Sequence, residues 1–560
     1  MPLARTCSVA LVGVTGQVVE VEVDIANGLV GMILVGLPDT ALREARDRIR
    51  AAIVNSGEQW PQRKITVGLS PASLPKRGSW FDLAIALGLL TAAGTMPRAA
   101  LDGVMLFGEL GLDGRLRPVR GVLPAVVAAA NAGFCKVMVS EQNAAEAALV
   151  PGVHVIAASC LAGAADWLRG TPGLRGGPPV MEFEGGQQFP AGALDGQTLD
   201  GKAPDARYPG VGYPGGVRAL GADPLGGVGR GRKAPSDQAM MAPDLAEMLG
   251  QSMARRAAEV CAAGGHHLSL LGPPGVGKTM LAERIPTILP RLEGAAALEV
   301  TSIHSVAGAL SPQVPLLTHP PFIAPHHTAT KAAIVGGGSG IIVPGSASLA
   351  HLGVLFLDEA PEFAKDALDA LRQPLEAGEV VVARLGAIAR FPARFTLVLA
   401  SNPCPCAKMA GPAEGCSCSP AMRRRYLGRI SGPLLDRVDV KIALEPVGRR
   451  ELLSDRSFAE SSQTVALRVF QARERAAHRL RGTPWRLNAE VPGSELRRTW
   501  SPAPGSLAVL EHSLERGLIS ARGVVKVIRV AWTLADLAGR SRPAKEDCDF
   551  ALGLWLGVRR

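Results

Sequence analysis

The stretch "HLSLLGPPGVGKTMLAERI" near the middle of the chain restricts the fold more than any other segment. An apolar run at 268–271 leads into a glycine-rich loop, and a helix-like sequence follows at once. Glycines allow backbone N–H groups to close around phosphates, and the N-terminus of the next helix adds a partial positive charge. A matching string alone can be accidental, but here a strand is predicted before it and a helix after it. The segment therefore predicts an α/β domain that binds a nucleoside triphosphate.

The positions of this loop have distinct predicted roles. Lys278 is expected to reach the β- and γ-phosphates, and the Thr279 hydroxyl is expected to hold Mg²⁺. The predicted ATP-binding residues are Gly272, Pro273, Pro274, Gly275, Val276, Gly277, Lys278 and Thr279.

A second buried strand is predicted at "VLFL", and two acids follow it. Asp358 suits a position on Mg²⁺, and Glu359 suits polarisation of the attacking water. Adjacent acids after a strand are often surface charge, but the phosphate-binding loop upstream favours the catalytic interpretation. Asn402 ends the next apolar strand, in "RFTLVLASN", and is expected to orient the water between Glu359 and the γ-phosphate.

The 560 residues divide into regions that differ in composition and in hydrophobic pattern, and the chain is predicted to be an α/β multidomain protein. Residues 1–170 alternate strand-like and helix-like segments. Residues 171–236 are rich in Gly and Pro, which predicts a flexible linker with one short strand at "VMEFEG". A second α/β unit is predicted at 237–446, and 447–560 is predicted to be helical.

The helical region is predicted from two apolar stripes at 3.6-residue spacing. The stripes consist of Val465, Val469, Ala472, Ala476 and Leu480, and of Val525, Ile528, Trp532 and Ala535. The arginines lie off both stripes and are expected to form a solvated face.

Charge and hydropathy narrow the setting. The net charge of +10 fits contact with a polyanion without requiring it. The N-terminal segment lacks the apolar core of a signal peptide. The run "LAIALGLLTAAG" at 83–94 is too short for a bilayer, which needs about 20 residues. We expect a soluble, cytoplasmic protein with no membrane contact.

Several motifs, taken together, resemble a known family. The series "GPPGVGKT", "FLDE", "ASN", "LLDR" and "SAR" resembles AAA+ ATPases of the magnesium-chelatase-like branch. More narrowly, "APHHT", "VGGGS", "LAHLGVLFLDE", "NPCPC" and "RISGPLLDRVD" resemble the ComM/YifB family.

This resemblance implies an AAA+ core at 237–446, a C-terminal helical lid at 447–560 and a homo-hexameric ring with ATP sites between subunits. Arg437 would act as a finger on the neighbouring subunit's nucleotide, and Arg522 would be the second sensor. The implied activity is that of an ATP-driven helicase. It would act on single-stranded or branched DNA and promote branch migration during recombination of incoming DNA.

The N-terminal segment "SLPKRGSWFDLAIALGLL" resembles the catalytic segment of Lon-type proteases, which implies a ribosomal S5-like fold. The position of the protease serine falls on Trp80, and that of its lysine partner falls on Leu123. Ser79 and Lys76 remain nearby, but a serine nucleophile needs a base within about 3 Å. We expect no peptidase activity.

Four of the nine cysteines cluster in "CPCAKMAGPAEGCSC", at Cys404, Cys406, Cys416 and Cys418. Four thiolates can bind Zn²⁺, although the usual pair spacing is wider than C-x-C. A redox pair would need a thioredoxin-like context, which is missing. The intervening "AKMAGPAEG" has little to pack, and a metal would fix it. We predict structural zinc, with a reduced polar loop as the alternative.

Two insertions are candidates for DNA contact. They are "FIAPHHTATKAAIVGGGSG" at 322–340 and the predicted hairpin "EVVVARLGAIARF" at 379–391. Both point into the central channel in related rings, so the resemblance implies phosphate contacts by Lys331, Arg384 and Arg390. His326 and His327 could bind metal, but adjacent histidines rarely share one ion.

Two other classes of function stay open. A chelatase- or chaperone-type motor that remodels a protein partner would share every ATPase residue. A Lon-type protease is disfavoured by Trp80 and Leu123.

Overall fold

The computed structural model describes residues 3–36, 40–74, 76, 78–171, 180–186, 243–311, 313–338, 342–384, 387–406, 408 and 416–557, with the backbone alone at 40–43 and 387. Most of the linker predicted at 171–236 lies outside these residues. So do Pro75, Arg77, the turn of the predicted hairpin and most of the loop between the two cysteine pairs.

The N-terminal region is built on an eight-stranded mixed sheet with the order β10-β9-β8-β5-β1-β2-β4-β3. Its strands, with the two-stranded ribbon β6–β7, are β1 Leu3–Val12, β2 Thr15–Ala26, β3 Gly31–Val35, β4 Lys64–Ser70, β5 Val104–Leu106, β6 Glu109–Leu110, β7 Leu116–Arg117, β8 Lys136–Ser140, β9 His154–Ala158 and β10 Met181–Glu184. Its helices are α1 Thr40–Asn55, α2 Asp82–Ala92, α3 Val122–Asn131, α4 Glu141–Ala147 and α5 Leu161–Leu168, with a 3₁₀ turn at Arg98–Leu101.

The alternating pattern of β2 explains how this sheet buries one face. Val19, Val21 and Val23 are fully buried, whereas the acids between them are partly exposed. The strand expected at "VMEFEG" forms as β10 and pairs antiparallel with β9. The sheet therefore includes a strand from the range predicted as linker.

The central region is a five-stranded, wholly parallel sheet with the order β12-β13-β16-β11-β17. Its strands and the separate hairpin β14–β15 are β11 Leu268–Leu271, β12 Phe322–Ile323, β13 Val354–Leu357, β14 Glu379–Arg384, β15 Ala387–Pro392, β16 Thr396–Ser401 and β17 Val440–Ala443. Its helices are α6 Ser252–Gly264, α7 Lys278–Ile288, α8 Gly294–Ala307, α9 Lys331–Val335, α10 Ser346–Leu349, α11 Lys365–Ala370, α12 Arg372–Ala377, α13 Pro420–Leu427 and α14 Gly432–Leu435, with 3₁₀ turns at Leu245–Glu247 and Ala360–Glu362.

Strand order fixes where the site must lie. The strands β13, β16 and β11 are neighbours and run in one direction, so their carboxyl ends meet at one edge of the sheet. Ligands of open parallel sheets bind at that edge, outside the carboxyl ends of the strands.

The described C-terminal region is helical, which is consistent with the sequence expectation. Its helices are α15 Arg449–Asp455, α16 Ser462–Arg479, α17 Gly493–Arg498, α18 Ala508–Glu515, α19 Ala521–Leu537 and α20 Lys545–Leu556, with a 3₁₀ turn at Asn488–Glu490. The predicted stripe on α16 is buried, and all of it except Ala476 belongs to the same apolar core as α6, α7 and the sheet.

The prediction that the arginines of α16 form a solvated face is wrong in part, because several of them bond to neighbouring elements and anchor the helix. Arg479 pairs with the buried Asp536 of α19. Arg473 donates to the carbonyl of Ala262 at 2.9 Å, and burial lowers its pKa to about 10. A stripe of apolar positions cannot reveal such partners, since they lie on distant segments.

The N-terminal and central regions touch directly. The helix α3 packs against α8, and the backbone N–H of Gly121 donates to the carbonyl of Ser305 at 3.1 Å. The turn between β1 and β2 packs near the hairpin, where a Cβ on Gly13 would stand 2.8 Å from the carbonyl oxygen of Arg390. Within the described ranges, no helix combines the length and the apolar character that crossing a bilayer requires.

Candidate active site

The glycine-rich loop lies between β11 and α7, as the sequence predicts. Gly275 and Gly277 have φ values of 81° and 94°, a left-handed region that side chains rarely adopt. The helix α7 begins at Lys278, so its first N–H groups face the loop. Backbone donors and the helix N-terminus thus form a cradle suited to phosphate.

The Lys278 amino group is buried under this loop. Its Nζ donates to the carbonyls of Gly272 (2.7 Å) and Pro273 (2.9 Å) and to Oδ1 of Asn402 (3.0 Å). Burial lowers the pKa of Lys278, and the carboxylates of Asp358 and Glu359 oppose that shift. The lysine is therefore held at the loop by weak neutral acceptors, which a phosphate oxygen could replace.

The two acids lie at the carboxyl end of β13. The Thr279 hydroxyl donates to Oδ2 of Asp358 at 2.9 Å, and the N–H of Glu359 donates to Oδ1 at 2.9 Å. A hydroxyl beside a carboxylate at a phosphate loop is the oxygen set that Mg²⁺ takes. These two residues therefore fit the expected ion.

Glu359 is held in an unusual backbone conformation. Its φ is 50°, which is uncommon for a residue with a side chain and costs of order 1 kcal/mol or more. The side chain is exposed, and its Oε2 lies 3.6 Å from Nδ1 of His327. The Glu359 carboxylate therefore lies beside the segment that follows β12.

Asn402 is buried at the end of β16, between Lys278 and a tyrosine. A hydrogen bond from its backbone reaches the phenol oxygen of Tyr426 on α13. Burial, aided by the carboxylates of Glu362 and Glu359, raises the pKa of Tyr426 to about 12. The tyrosine therefore stays neutral and fixes the segment that carries Asn402.

Arg437 and Arg522 lie together, apart from the cluster around Lys278. Arg522 Nη1 donates to Oδ2 of Asp436 at 2.8 Å, and Arg437 pairs with Glu376. Burial and the nearby Arg522 lower the pKa of Arg437. Across the described residues, no hydrogen bond or ion pair joins either guanidinium to the phosphate loop or to the two acids.

A buried lysine holds the segment that carries Arg437. Lys526 of α19 donates to the carbonyl of Arg437 at 2.9 Å and to Oδ1 of Asp439 at 2.6 Å. Burial lowers the pKa of Lys526. Burial alone would raise the pKa of Asp439, but His266 and Lys526 outweigh it and hold that pKa well below its usual value.

The four clustered cysteines converge. Their sulfur atoms all lie within 4.8 Å of one another, and Sγ of Cys404 is 3.1 Å from Sγ of Cys406 and 3.3 Å from Sγ of Cys416. A tetrahedral zinc site with Zn–S bonds of about 2.3 Å separates its sulfurs by about 3.8 Å, which falls within this spread. The distances are too long for a disulfide, whose S–S bond is about 2.05 Å.

Protonation in this cluster is uneven. Burial, with the neighbouring thiols, raises the pKa of Cys404 to about 12. The backbone N–H of Cys418 is the main reason why the pKa of Cys416 falls to about 6. A thiolate at one sulfur disfavours a second thiolate beside it, because the two negative charges repel. A bound divalent cation would offset that repulsion. The donor set fits zinc.

The three residues expected to contact DNA have different surroundings. Lys331 is exposed at the start of α9. Arg384 is exposed at the end of β14, with Nη2 3.6 Å from the place where a Cβ on Gly337 would stand, so the two insertions meet. Arg390 pairs with Glu379 across the hairpin at 2.5 Å.

The N-terminal residues compared with the protease have structural partners. The Lys76 amino group donates to the carbonyl of Pro71, and the Ser79 hydroxyl donates to the carboxylate of Glu109. Trp80 packs edge-on against Phe107, with ring centroids 5.8 Å apart. Leu123 is fully buried in the same apolar cluster.

Sequence reasoning missed three contributors to the site: His327, Tyr426 and Lys526. From the sequence, the adjacent histidines suggest only metal binding, and the tyrosine and the lysine belong to none of the motifs. One signal was available for Lys526, since it lies one helical turn after Arg522.

Three family models match the chain in succession. They are "Subunit ChlI of Mg-chelatase" at 21–143, "Magnesium chelatase, subunit ChlI" at 244–452 and "Magnesium chelatase, subunit ChlI C-terminal" at 459–554. Together with the loop, acids and asparagine at one edge of a parallel sheet, they define a magnesium-chelatase-like AAA+ protein with the site of an ATPase.

Similar proteins span the whole chain. An uncharacterized protein of Mycobacterium tuberculosis is 48% identical over 100% of both chains. YifB of Escherichia coli is 38% identical over 96% of this chain and 94% of its own. The competence protein ComM of Haemophilus influenzae is 36% identical over 100% of this chain and 98% of its own. The chain belongs to the ComM/YifB family.

The N-terminal region also has a more distant likeness. The Lon protease of Trichlorobacter lovleyi is 27% identical over 141 residues, which cover 24% of this chain and 17% of that protein. This likeness supports a Lon-like N-terminal region.

Proposed function

We propose that the protein is an ATP-hydrolysing ring motor that translocates on DNA and promotes branch migration during recombination of incoming DNA. The observation that carries the ATPase part is the bonded cluster at the sheet edge, where Lys278 contacts Asn402 and Thr279 contacts Asp358. The DNA part is supported by the full-length similarity to a competence protein.

In the proposed reaction, water attacks the γ-phosphorus and the bond to the β-γ bridging oxygen breaks. Glu359 takes the proton of the attacking water, and Asn402 orients that water. Lys278 neutralises charge on the β- and γ-phosphates. Thr279 and Asp358 would hold Mg²⁺, which supplies charge neutralisation on the phosphate oxygens when bound.

The proposed ring is a homo-hexamer with its ATP sites between subunits. Arg437 and Arg522 lie near each other and bond within their own chain to groups other than the phosphate loop. That position suits guanidinium groups that stabilise charge on a neighbouring subunit's nucleotide. Such a finger contributes about 10³ or more to the rate in related phosphoryl transfers.

DNA would run past the two insertions that meet at Gly337 and Arg384. Exposed Lys331 and Arg384 would contact phosphates in a sequence-tolerant, salt-sensitive manner. Arg390 would first have to leave Glu379. We therefore rank Arg390 below the other two.

The cysteine cluster is proposed to hold structural zinc at Cys404, Cys406, Cys416 and Cys418. It lies between Asn402 and α13, so it would fix the loop that follows the catalytic asparagine. We place the motor in the cytoplasm, where recombination of incoming DNA takes place.

The direct test is ATP-dependent strand exchange on a labelled four-way or forked DNA. The wild type should resolve the junction, and Glu359→Gln should not, because it cannot take the proton. Intact ATP hydrolysis with no activity on any branched or single-stranded DNA would sink the DNA proposal.

A chelatase- or chaperone-type motor is the second candidate, because all three matching family models describe a magnesium chelatase subunit. Such a motor would remodel a protein partner with the same ATPase residues. It would be indicated by an ATPase rate that DNA leaves unchanged.

A further inference from the structure

The helix α13 carries three consecutive arginines, Arg423, Arg424 and Arg425, in the sequence "PAMRRRYL". All three are exposed, and across the residues that the structure describes no acidic side chain pairs with any of them. Glu362, whose carboxylate acts on Tyr426 of the same helix, pairs instead with Arg429 at 2.9 Å.

Helix electrostatics account for only part of this pattern. Cations in a last helical turn gain about 0.3–1 kcal/mol from the helix dipole, which favours Arg424 and Arg425 there. Three adjacent guanidinium groups also repel one another, and none of the described acids pairs with them to supply a counter-charge. A bound polyanion would supply it.

The helix that presents these arginines is fixed at both ends. The Ser419 side chain caps its N-terminus by accepting from the N–H of Met422 at 3.3 Å, directly after the clustered Cys416 and Cys418. At the other end Tyr426 is 5% exposed and bonds to the Asn402 backbone. The arginines therefore project from a rigid support.

Helical geometry shows which arginines can act together. Successive residues are about 100° apart, and Tyr426 points inward. Arg424 is therefore about 200° from Tyr426 and faces most directly outward. Arg423 and Arg425 flank it on either side, so two of the three can reach the same strand.

We propose that Arg424, with Arg423 or Arg425, binds the phosphate backbone of DNA at a contact site separate from Lys331 and Arg384. This inference rests on the proposed DNA-dependent function. Guanidinium groups suit phosphates because they donate two parallel hydrogen bonds. A strand held here would also lie on the helix whose Tyr426 fixes Asn402, which links DNA contact to the ATP site.

The test is the salt dependence of binding to a labelled single-stranded oligothymidylate, measured by anisotropy with the full chain. The variant is Arg423→Ala/Arg424→Ala/Arg425→Ala. Two lost phosphate contacts should reduce the slope of log K against log salt by about 1.4 and the affinity by roughly 25-fold at about 0.1 M salt.

A matched control separates local contact from net charge. Arg449→Ala/Arg450→Ala/Arg456→Ala removes the same charge from exposed positions around α15, which buries none of its residues. Its slope should stay close to that of the wild type. Arg423→Gln/Arg424→Gln/Arg425→Gln removes the same charges with less loss of side-chain volume. It should lower the slope as the alanine variant does, and it covers the case in which the alanine variant does not fold; an unchanged slope in this folded variant overturns the site.

The outcomes distinguish the two proposals. A wild type that binds no DNA overturns the proposed function. A wild type that binds, with equal slopes for the α13 and α15 variants, overturns the arginine site alone. An unchanged slope with a smaller assembly in the α13 variant would also overturn it, because the arginines would then face a neighbouring subunit.

Discussion

The N-terminal and central α/β regions each contain a lysine and a hydroxyl residue close together in sequence, but these residues have different roles in the two regions. In the N-terminal region, the lysine and serine that remain from a protease-like segment bond inward: Lys76 to a carbonyl and Ser79 to Glu109. Lys76 is fully buried, and Trp80 stands where the sequence comparison is expected to place the protease nucleophile. These polar groups are satisfied by the protein itself.

In the central region, Lys278 and Thr279 begin the helix that follows the phosphate loop, whose glycines adopt the left-handed conformation that leaves room for phosphates. Their partners lie at the carboxyl ends of parallel strands, which open to one edge. The difference shows that residue identity does not make a site. Backbone space next to the polar groups decides whether a ligand can replace the internal partners.

The largest expected effect comes from Glu359→Gln. Removing the base should lower ATP hydrolysis by at least about 100-fold, since general base catalysis contributes 10²–10⁴. Nucleotide binding should persist, because Lys278 and the loop are unchanged. The N-terminal counterpart, Ser79→Ala, should hydrolyse ATP at the wild-type rate.

Steady-state phosphate release and binding of a fluorescent ATP analogue measure both variants. Casein or peptide hydrolysis by the wild type that disappears in Ser79→Ala would break the comparison, since the N-terminal region would then be an active protease.

The next effect concerns the cysteine cluster. Cys404→Ser should reduce zinc from one ion per chain to near zero, because Cys404 is the most buried of the four sulfur donors. Hydrolysis should fall about tenfold if Asn402, two residues away, loses its support. Metal analysis of purified protein measures the zinc. Wild-type protein that contains no zinc from the start would refute the site.

The third effect tests Lys526 as a positioning residue. Lys526→Met should lower kcat about tenfold with little change in KM, because Arg437 loses the grip on its carbonyl while Lys278 stays in place. Lys441→Met is the matched control. Both amino groups lie near the Trp555 ring, at 4.1 Å for Lys441 and 5.9 Å for Lys526.

The control removes a charge from the same neighbourhood without touching Arg437, so its hydrolysis should be unchanged. A rise in KM equal to the loss in kcat/KM for Lys526→Met would instead indicate damage to nucleotide binding.

Much of the fold followed from local patterns. The loop, the acids after β13 and Asn402 after β16 were predictable because each sits at the end of an apolar strand, and parallel strands bring such ends together. The convergence of the cysteines was predicted less from their spacing, which is tighter than usual for zinc, than from the loop between the pairs, which has little to pack. Their ion and the roles of the ATP-site residues stay predictions.

The contacts that escaped prediction join distant segments. His327 reaches Glu359 because the segment after β12 lies beside β13, and Lys526 is buried although periodicity favours exposed lysines. The sequence also does not show which strand β10 joins, although its partner β9 is the strand that precedes it in the chain. A single sequence carries no signal for such pairings.

The smallest effect concerns pH. Acidification should stabilise the N-terminal region and destabilise the central region. Asp82 of α2 lies against Arg48, with Oδ2 2.8 Å from Nε, yet burial raises its pKa to about 6. Its proton binds more tightly in the folded state. The free energy of unfolding of the N-terminal region should therefore rise by about 1 kcal/mol as the pH falls from 7 to 5.

His267 behaves in the opposite way. Burial, with Lys526 and His266 nearby, lowers its pKa to about 4, and its Nδ1 accepts from the N–H of Leu397 at 3.1 Å. Protonation would break this link between β11 and β16. Its stabilising contribution is complete above about pH 6.5 and is lost as pH falls towards 4.

The free energy of unfolding of the central region should therefore fall as the pH drops from 7 to 5, by at most about 2 kcal/mol. His267 is partly exposed, and solvent screening makes the decrease smaller than this limit. Hydrogen exchange corrected for intrinsic rates can follow β2 and β11 separately in the full chain. Protection should rise in β2 and fall in β11 at pH 5, and His267→Asn should flatten the response of β11. Parallel loss in both regions would mean that they unfold as one unit, which the contact of Gly121 with Ser305 would then explain.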